Sequence, residues 1–248
     1  MKRELKISEL RVRREGREVV AGIDLSVKPG QIHALMGPNG SGKSSLANAL
    51  MGHPKYELAG GSVSLDGRKI SSLRPDERSR AGLFLSPQYP PEVPGVSVSG
   101  FLRAAVNARR DQPYGAMEFH GLLKEKMAEL KIATEFGARG LNEGFSGGEK
   151  KRLEILQLLL LRPKYAVLDE TDSGLDVDAL KIVTKGIEEL RRAGTGILLI
   201  THYTRILKFL KPDRVHVMAA GKLVRSGGQE LAAVIEKKGY APIIKEKN

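Results

Sequence analysis

Apolar and polar residues alternate over residues 5–12 and 19–27, and this period of two predicts two half-buried strands near the N-terminus. Further along, short apolar runs alternate with segments of helical periodicity. That alternation predicts a parallel sheet covered by helices on both faces. The predicted strands in these runs are 32–36, 63–65, 83–85, 165–168, 196–201 and 214–218, and the predicted helices are 45–50, 149–161, 177–193, 204–210 and 229–238.

A long segment interrupts this alternation of strands and helices. Three prolines predict a stiff loop over 89–98, and the apolar residues from 99 to 141 recur at the three-to-four spacing of helices. The segment therefore reads as an insertion into the α/β core. The predicted organisation is a single domain over 1–248, with a core of 1–88 and 163–248 and a helical subdomain of 89–162.

Composition places the chain among soluble globular proteins, because 41% of its 248 residues are hydrophobic and 28% are charged. No apolar run approaches the roughly 20 residues that a membrane-spanning helix requires. The chain contains no cysteine, which excludes disulfides, thiolate chemistry and cysteine-ligated metals. We therefore expect a cytoplasmic protein that does not insert into a membrane.

A formal net charge of +12 would suit a nucleic-acid partner. The basic residues are nevertheless spread along the chain, and only 5% of the residues are aromatic. The sequence therefore lacks the dense basic blocks interleaved with aromatics that direct nucleic-acid binding favours. We expect a solvated basic surface that faces an acidic partner, and no direct contact with nucleic acid.

Residues 37–44, GPNGSGKS, match the phosphate-binding pattern G-x-x-x-x-G-K-[ST] and directly follow the apolar run 32–36. Glycines let successive backbone N–H groups point at a polyphosphate. Lys43 is placed to reach the β- and γ-phosphates, the Ser44 hydroxyl suits Mg²⁺, and the following helix turns its positive end towards the phosphates. The predicted nucleotide-binding residues are Gly37, Pro38, Asn39, Gly40, Ser41, Gly42, Lys43, Ser44 and Ser45.

Polar residues also follow three other apolar runs. Asp169 and Glu170 end the run 166–168, where such folds hold Mg²⁺ and where a carboxylate can polarise water for attack on a γ-phosphate. His202 and Gln88 end two further strands, and ligands bind at such strand ends in open α/β sheets. Taken alone, each residue also suits a structural role, as a helix-start signal, a strand-end histidine or a turn residue.

The segment 145–149, FSGGE, opens the predicted helix 149–161. Its glycines leave backbone N–H groups unobstructed, and a helix start attracts anions. Alone, the segment would also suit a loop with an ordinary serine cap. The candidate anion-binding residues are Ser146, Gly147, Gly148 and Glu149.

Together and in this order, the motifs resemble those of the ABC-type ATPases over almost the whole chain. The matching elements are the phosphate loop 37–44, the Q-loop Gln88, the signature motif 146–149, the Walker B strand 166–170, the D-loop 173–176 and the switch His202.

This resemblance implies an α/β fold, a P-loop NTPase (RecA-like) core with an antiparallel β-subdomain and an inserted helical subdomain. It also implies that two copies pair head to tail with ATP between them, so that the signature motif of one copy closes on the γ-phosphate bound to the other. The roles carried over are catalytic for Glu170, His202, Lys43 and Gln88, and Mg²⁺-binding for Ser44, Gln88 and Asp169.

Finer details resemble the SufC-type ATPases of iron–sulfur cluster assembly. The signature has Phe145 and Glu149 in place of the common Leu and Gln, Asp172 stands where transporters mostly carry another residue, and prolines stiffen the segment after Gln88. The resemblance implies that two copies dock on a SufB/SufD-like scaffold. Two alternatives stay open, the ATP-binding subunit of a membrane transporter and a non-enzymatic nucleotide switch or nucleic-acid-associated module.

Two further hypotheses concern individual charges, and a third concerns the partner surface. Residues 1–30 lack the aromatic that commonly stacks on adenine, so Arg14 either stacks on the base or is solvated. One lysine, Lys151 rather than Lys150, restrains Glu170 or Asp172 at rest, or these charges are solvated.

The last hypothesis places the partner surface after Gln88, in the helical subdomain. Stiff apolar residues there would lose little conformational entropy on binding. Phe101 and Leu102 would either add an apolar anchor or belong to the core. The predicted surface comprises Tyr89, Pro90, Pro91, Val93 and Pro94, with a basic rim of Arg103, Arg109 and Arg110.

Overall fold

The computed structural model describes residues 2–245, so residue 1 and residues 246–248 of the predicted domain lie outside the described range. The strands are β1 (Leu5–Arg14), β2 (Arg17–Val27), β3 (Ile32–Met36), β4 (Glu57–Leu65), β5 (Arg68–Lys69), β6 (Leu83–Ser86), β7 (Val93–Ser97), β8 (Gly140–Leu141), β9 (Tyr165–Asp169), β10 (Gly196–Ile200), β11 (Arg214–Ala219) and β12 (Lys222–Gly227). The helices are α1 (Lys43–Met51), α2 (Pro75–Ala81), α3 (Val98–Asn107), α4 (Ala116–Glu129), α5 (Gly147–Leu161), α6 (Val177–Arg192), α7 (Thr204–Leu207), α8 (Gln229–Lys238) and α9 (Ala241–Lys245), with a 3₁₀ helix at Thr134–Ala138.

Two compact units can be distinguished by their internal contacts. The core unit comprises the chain up to Gln88, Pro163–Thr171 and the residues from Arg191 onward. The helical unit comprises Tyr89–Arg162 and Asp172–Leu190. This grouping differs from the predicted division because 172–190, assigned above to the core, groups with the helical unit.

The core unit is built on two sheets. One is an antiparallel sheet in the order β2-β1-β4-β5, and the other has the order β12-β11-β3-β10-β9-β6. In the six-stranded sheet, β11, β3, β10, β9 and β6 run parallel, and only β12 is antiparallel to its neighbour. The predicted fold class, an α/β P-loop NTPase core with an antiparallel β-subdomain, is confirmed.

Burial explains why the two sheets have different sequence patterns. Every residue of β3, β9 and β10 is buried, so these strands are mostly apolar, as expected for a parallel sheet covered on both faces. β1 and β2 instead alternate between buried and exposed residues. Their buried residues meet α1 and the central strands in one apolar cluster, which fixes the register of these strands.

The helical unit contains a close helix–helix approach that the sequence patterns did not indicate. Gly186 of α6 lies against Ile155 of α5, and a Cβ atom at residue 186 would lie 2.4 Å from the Ile155 Cγ2 atom. Glycine is therefore required for α6 to pack against α5. This packing explains why α6 groups with the helical unit.

Two short elements also differ from the predictions. The segment 89–98 is not entirely loop, because β7 pairs with β8 in a two-stranded antiparallel ribbon. α2 was not predicted, since its seven residues are too few for a periodic apolar pattern. Pro75 begins α2, and the Glu77 carboxylate accepts the Arg74 backbone N–H at 2.8 Å, so local capping stabilises this helix.

Arg78 of α2 is a buried cation, only 2% exposed, that holds the end of α1. Its Nη1 atom donates to the carbonyls of Ala49 and Leu50 at 2.9 and 2.7 Å. Its Nε and Nη2 atoms donate to the carbonyls of Leu73 and Ser71 at 2.9 and 2.6 Å. Burial lowers the pKa of Arg78. The guanidinium thus satisfies carbonyls that a helix end leaves without intrahelical partners.

Two buried histidines face each other on neighbouring strands of the six-stranded sheet. His216 Nε2 of β11 lies 3.1 Å from His33 Nδ1 of β3, and His216 Nδ1 lies 2.7 Å from the Ser226 hydroxyl of β12. Burial lowers the pKa of each imidazole to about 4. The Asp213 carboxylate partly opposes the shift at His33, whereas Arg214 lowers the pKa of both rings. Both rings are therefore neutral at pH 7.

We expect Arg78→Met to lower the free energy of unfolding by about 3 kcal/mol or more, because several carbonyls lose a buried charged donor. The measurement is urea unfolding at pH 7. Arg80→Met is the matched control on the same helix, since Arg80 is exposed and pairs with Asp76 in a surface ion pair. Equal effects of the two substitutions would contradict the role assigned to Arg78.

The histidine pair predicts a loss of stability as the pH falls from 6.5 to about 4. The unfolded state binds protons in this window, whereas the folded state excludes them, so each histidine lowers stability by about 1.4 kcal/mol per pH unit. Urea unfolding at several pH values measures the slope. His216→Gln should make the slope shallower, whereas His120→Gln, at an exposed position on α4, should leave it unchanged. An unchanged slope in His216→Gln would refute this assignment.

Candidate active site

A cavity of about 810 Å³ opens in the core unit where several parallel strands end. Ligands of open α/β sheets bind at this carboxyl edge, and the volume suits a nucleotide-sized ligand. Most of the residues predicted from the motifs meet here. Those that line the cavity are Asn39, Gly40, Ser41, Gly42, Lys43, Ser44, Ser45, Gln88, Glu170 and His202.

The loop between β3 and α1 requires glycine at two positions. Gly37 has a φ of +153°, and a Cβ atom there would lie 2.1 Å from the Met218 carbonyl oxygen. Gly42 has a φ of +102°, and a Cβ atom there would lie 2.5 Å from the Val19 carbonyl oxygen. The loop backbone therefore approaches two neighbouring strands too closely for any side chain.

Lys43 is the first residue of α1, and its ammonium is buried inside the loop. Nζ donates to the carbonyls of Gly37 and Pro38, each at 2.9 Å, and to the Ser41 hydroxyl at 3.2 Å. Burial lowers its pKa, whereas the carboxylates of Glu170 and Asp169 act in the opposite direction. The charge is thus held where anionic phosphate oxygens would be favourable ligands.

Three strand ends converge on the carboxylate of Glu170. Gln88 Nε2 donates to Glu170 Oε2 at 2.6 Å, and His202 Nε2 lies 2.5 Å from Glu170 Oε1. Glu170 itself has a φ of +52°, and its backbone N–H donates to the Ile200 carbonyl at 2.9 Å. This left-handed conformation turns a nearly buried carboxylate from the end of β9 into the cavity. A carboxylate held there can accept a proton from water.

The residues predicted to hold Mg²⁺ offer oxygen donors. The Ser44 hydroxyl lines the cavity, and Asp169 is a buried carboxylate that directly precedes Glu170. Mg²⁺ prefers oxygen ligands and is commonly held by one or two carboxylates together with substrate phosphates. The donor set therefore fits a magnesium ion.

The signature residues lie in the helical unit, where two of them line a separate cavity. Ser146 and Gly148 meet the D-loop residues Gly174, Leu175 and Asp176 there. The hydroxyl of Ser146 accepts the Glu149 backbone N–H, and the Glu149 carboxylate accepts the Ser146 backbone N–H at 2.8 Å, which forms a capping box at the start of α5. The Ser146 backbone N–H and the Ser146 hydroxyl both donate to the Glu149 carboxylate, and these two hydrogen bonds lower the pKa of Glu149.

Three further residues line the cavity that the sequence patterns did not identify as site residues. Glu18 and Val19 belong to β2, and Tyr203 directly precedes α7. Arg14, proposed above to stack on the base, does not line the cavity. Its guanidinium lies over Tyr56, with Cζ 5.6 Å from the ring centroid. The packing on Tyr56 argues against Arg14 as a base-stacking residue.

The two lysines of the signature helix have partners within the helical unit. Lys150 Nζ lies 2.9 Å from a Glu92 carboxylate oxygen, and Lys151 Nζ lies 3.1 Å from a Glu154 carboxylate oxygen. The Lys151–Glu154 pair is almost completely buried. The proposed restraint of Glu170 or Asp172 by Lys151 stays a prediction.

Comparison with known proteins agrees with this geometry. A family model described as "ABC transporter" matches residues 20–173. "Vegetative protein 296" of Bacillus subtilis is 53% identical over 238 residues, which cover 95% of this chain and 91% of that protein. A "Probable ABC transporter ATP-binding protein" of Streptococcus pyogenes serotype M3 is 52% identical and covers 98% and 95% of the two chains. A "Probable ATP-dependent transporter" of Synechocystis is 48% identical, with 95% and 94% covered.

Solved structures show the same fold at low sequence identity. One described as the "ATP binding subunit of ABC transporter" has a TM-score of 0.80 at 23% identity and covers 98% of both chains. A second, described as a dimeric post-hydrolysis state of an ATP-binding cassette bound to ADP and Pi, has a TM-score of 0.78 at 19% identity. It covers 90% of this chain and 98% of that one.

Within residues 2–245, no helix combines the length and apolarity needed to cross a bilayer.

We expect Glu170→Gln to retain ATP binding and to lower the rate of hydrolysis by about 10²-fold or more, because an amide keeps the shape of the site but cannot take a proton from water. Phosphate release measures turnover, and titration calorimetry measures binding. A Glu170→Gln variant that hydrolyses ATP at the wild-type rate would exclude Glu170 as the base.

Lys43→Ala is the contrasting variant and should lose binding itself, by at least about tenfold in affinity, because the phosphates lose a buried charged donor. Lys55→Ala, at an exposed position beyond α1, controls for the loss of one positive charge. Equal affinities in Lys43→Ala and Lys55→Ala would contradict the role of Lys43.

Proposed function

We propose that this chain, which belongs to the ABC transporter family and is an ATPase, uses ATP to change the conformation of an iron–sulfur cluster assembly scaffold of the SufB/SufD type. The observation that best supports ATP-driven chemistry is the convergence of Gln88 and His202 on Glu170 beside the phosphate loop. The scaffold assignment is supported by Phe145, Glu149 and Asp172 in the signature and D-loop region, and by the proline-rich segment after Gln88.

In this proposal the core residues divide the work of hydrolysis. Lys43 binds the β- and γ-phosphates, and Glu170 takes a proton from the water that attacks the γ-phosphorus atom. The bond from the γ-phosphorus to the bridging oxygen then breaks, and ADP and phosphate leave. His202 orients Glu170 and contacts the γ-phosphate. Ser44, Asp169 and Gln88 would hold Mg²⁺, which neutralises phosphate charge when bound.

A second copy of the chain would complete the site. The capping box uses the N–H group and the hydroxyl of Ser146 within the same copy. In this proposal the backbone N–H groups of Gly147 and Gly148, in the first turn of α5, receive an anion from another copy. The solved dimeric cassette with this fold supports such pairing. We therefore propose a monomer at rest that pairs when ATP binds. Gel filtration of Glu170→Gln with ATP should show a dimer, and a wild-type ATPase rate per chain that is independent of dilution would contradict pairing.

The segment after Gln88 supports coupling to a partner. Within the helical unit, Lys150 of α5 pairs with Glu92, and the Asn142 side chain donates to the Pro91 carbonyl at 2.8 Å. A partner that moves this stiff segment would therefore also move the start of the signature helix. Tyr89, 82% exposed, offers a large apolar contact.

Two roles were left open for Leu102, an apolar anchor and a core residue, and its burial favours the core. Leu102 is completely buried and belongs to the core of the helical unit, where α3 meets its neighbours. It is therefore not available as an apolar anchor for a partner. Phe101 next to it is only half-buried.

The ATP-binding subunit of a membrane transporter is the second candidate function. The printed names of relatives in Streptococcus and Synechocystis favour it, since both describe transporter components. The same core residues would hydrolyse ATP, and the same segment after Gln88 would dock on membrane-embedded helices. The proposed cytoplasmic location suits both candidates.

Capture of partners from native lysate without detergent separates these candidates. The scaffold proposal predicts recovery of a cysteine-bearing protein from the soluble fraction. Recovery of only a polytopic membrane protein would refute the scaffold and favour the transporter.

A substitution at Tyr89 tests the docking segment. We expect Tyr89→Glu to lower partner capture at least about tenfold, because a buried charge without a partner is costly at an interface, and to leave the basal ATPase rate unchanged. Met117→Glu is the matched control, since Met117 is 85% exposed on α4. Undiminished capture by Tyr89→Glu would show that the partner binds elsewhere.

A further inference from the structure

A third cavity, of about 350 Å³, lies entirely within the helical unit, beside α3, α4 and the end of α5. Leucines of α4 and α5 form its apolar wall, and no Asp or Glu side chain lines it in the described part of the chain. Its polar lining comprises Arg109, Arg110, Tyr114, Lys126 and Arg162.

The positive charge of this cavity is only partly compensated. Lys126 Nζ lies 2.9 Å from Glu129 and 3.4 Å from Glu189, so nearby carboxylates neutralise that ammonium. Arg109, Arg110 and Arg162 add three further positive charges to the lining of the cavity. Two of them, Arg109 and Arg110, were assigned above to the basic rim of a docking surface, but here they face a concave site.

Arg109 is held in a costly position. Its Nη1 atom is buried from solvent, and this atom has no hydrogen-bond partner among residues 2–245. Burial lowers the pKa of its guanidinium. A buried donor without an acceptor is destabilising, and the negative charge of an anion in the cavity would offset the cost of holding this guanidinium there.

Arg110 is held in place beside it. Its Cζ atom lies 3.9 Å from the centroid of the Tyr114 ring, and its Nε atom donates to the Gln112 carbonyl at 3.0 Å. Asn107 fixes the loop that carries these residues, because its side chain bonds both the N–H and the carbonyl of Tyr114. The guanidinium is therefore oriented before any ligand arrives, which limits the entropy lost on binding.

We propose that this cavity is a binding site for a compact small-molecule anion that carries a phosphate or carboxylate group. Guanidinium groups bind the oxygens of such ligands in a bidentate manner. The volume of the cavity lies near the lower end of the range for small-molecule sites, which is about 300–1000 Å³. The leucine wall would receive a short apolar part of the ligand. A concave site of this size suits a small molecule better than a peptide segment.

The test uses Lys43→Ala as the background for every protein, so that the phosphate loop contributes little to anion binding. Titration calorimetry is carried out with inorganic pyrophosphate and, separately, with citrate. We expect at least one of the two anions to bind at a single saturable site. Comparison of the two affinities then distinguishes a phosphate site from a carboxylate site. Arg109→Leu should weaken the preferred anion at least about tenfold. Arg109→Lys keeps the positive charge but loses the planar guanidinium, so it should weaken anion binding less than Arg109→Leu does. This conservative variant separates a loss of binding from a loss of folding.

Arg103→Leu is the matched control, since Arg103 is exposed on α3 and does not line the cavity. It should leave anion affinity unchanged. Absence of saturable binding of both anions would overturn the proposal, and so would an equal loss in Arg103→Leu, which would mean diffuse surface charge. Loss of partner capture in Arg109→Leu without any anion binding would likewise overturn it and reassign the cavity to an acidic partner segment.

Discussion

One buried ammonium sets the requirements for much of the core unit. Lys43 has to remain charged while protein surrounds it, so its three donors need acceptors close by, and the carbonyls of Gly37 and Pro38 supply two of them. Those carbonyls reach it only because the loop wraps tightly between β3 and α1. The loop in turn presses its glycines against the backbone of β11 and β2, which leaves no room for side chains. The ammonium, the loop and the strand register are therefore mutually dependent.

Other buried ionisable groups of the core unit are accommodated in three different ways. Arg78 keeps its charge, and backbone carbonyls surround its guanidinium, so this cation stabilises the end of α1 and the segment before α2. His33 and His216 instead give up their charge, because an imidazole can become neutral at physiological pH whereas a guanidinium cannot. Glu170 represents a third case, since its carboxylate is held by side chains from other strand ends and is reachable from the cavity.

The sequence was informative where a pattern is local. β3 and α8 have the predicted boundaries, because their periodicity and flanking turns lie within a few residues. The motif residues around Lys43, Gln88 and His202 come together because parallel strands end at one edge of the sheet. Several residue types in fixed order thus predicted most of the candidate site.

The remaining features depend on contacts between distant segments. Nothing near Val19 indicates that β2 passes beside the phosphate loop, and nothing near Arg14 indicates that Tyr56 occupies its guanidinium. The grouping of α6 with the helical unit rests on Gly186 against Ile155, two residues 31 positions apart. The third cavity, which Arg109 lines, likewise needs α3 and the end of α5 to converge. Such pairings are tertiary, and a single sequence does not encode them in any local pattern.

Parallel register has a consequence for how this protein can change over evolution. β3, β9 and β10 are paired residue by residue, with Leu35 opposite Ile200 and Ile200 opposite Asp169. Insertion of one residue inside any of these strands would shift everything beyond it by about 3.3 Å and reverse which face each side chain points to. Selection can therefore tolerate changes of length in the surface turns of this chain. It would remove changes of length within the three central strands. The number of residues between each strand and its motif should be among the slowest-evolving properties of the protein.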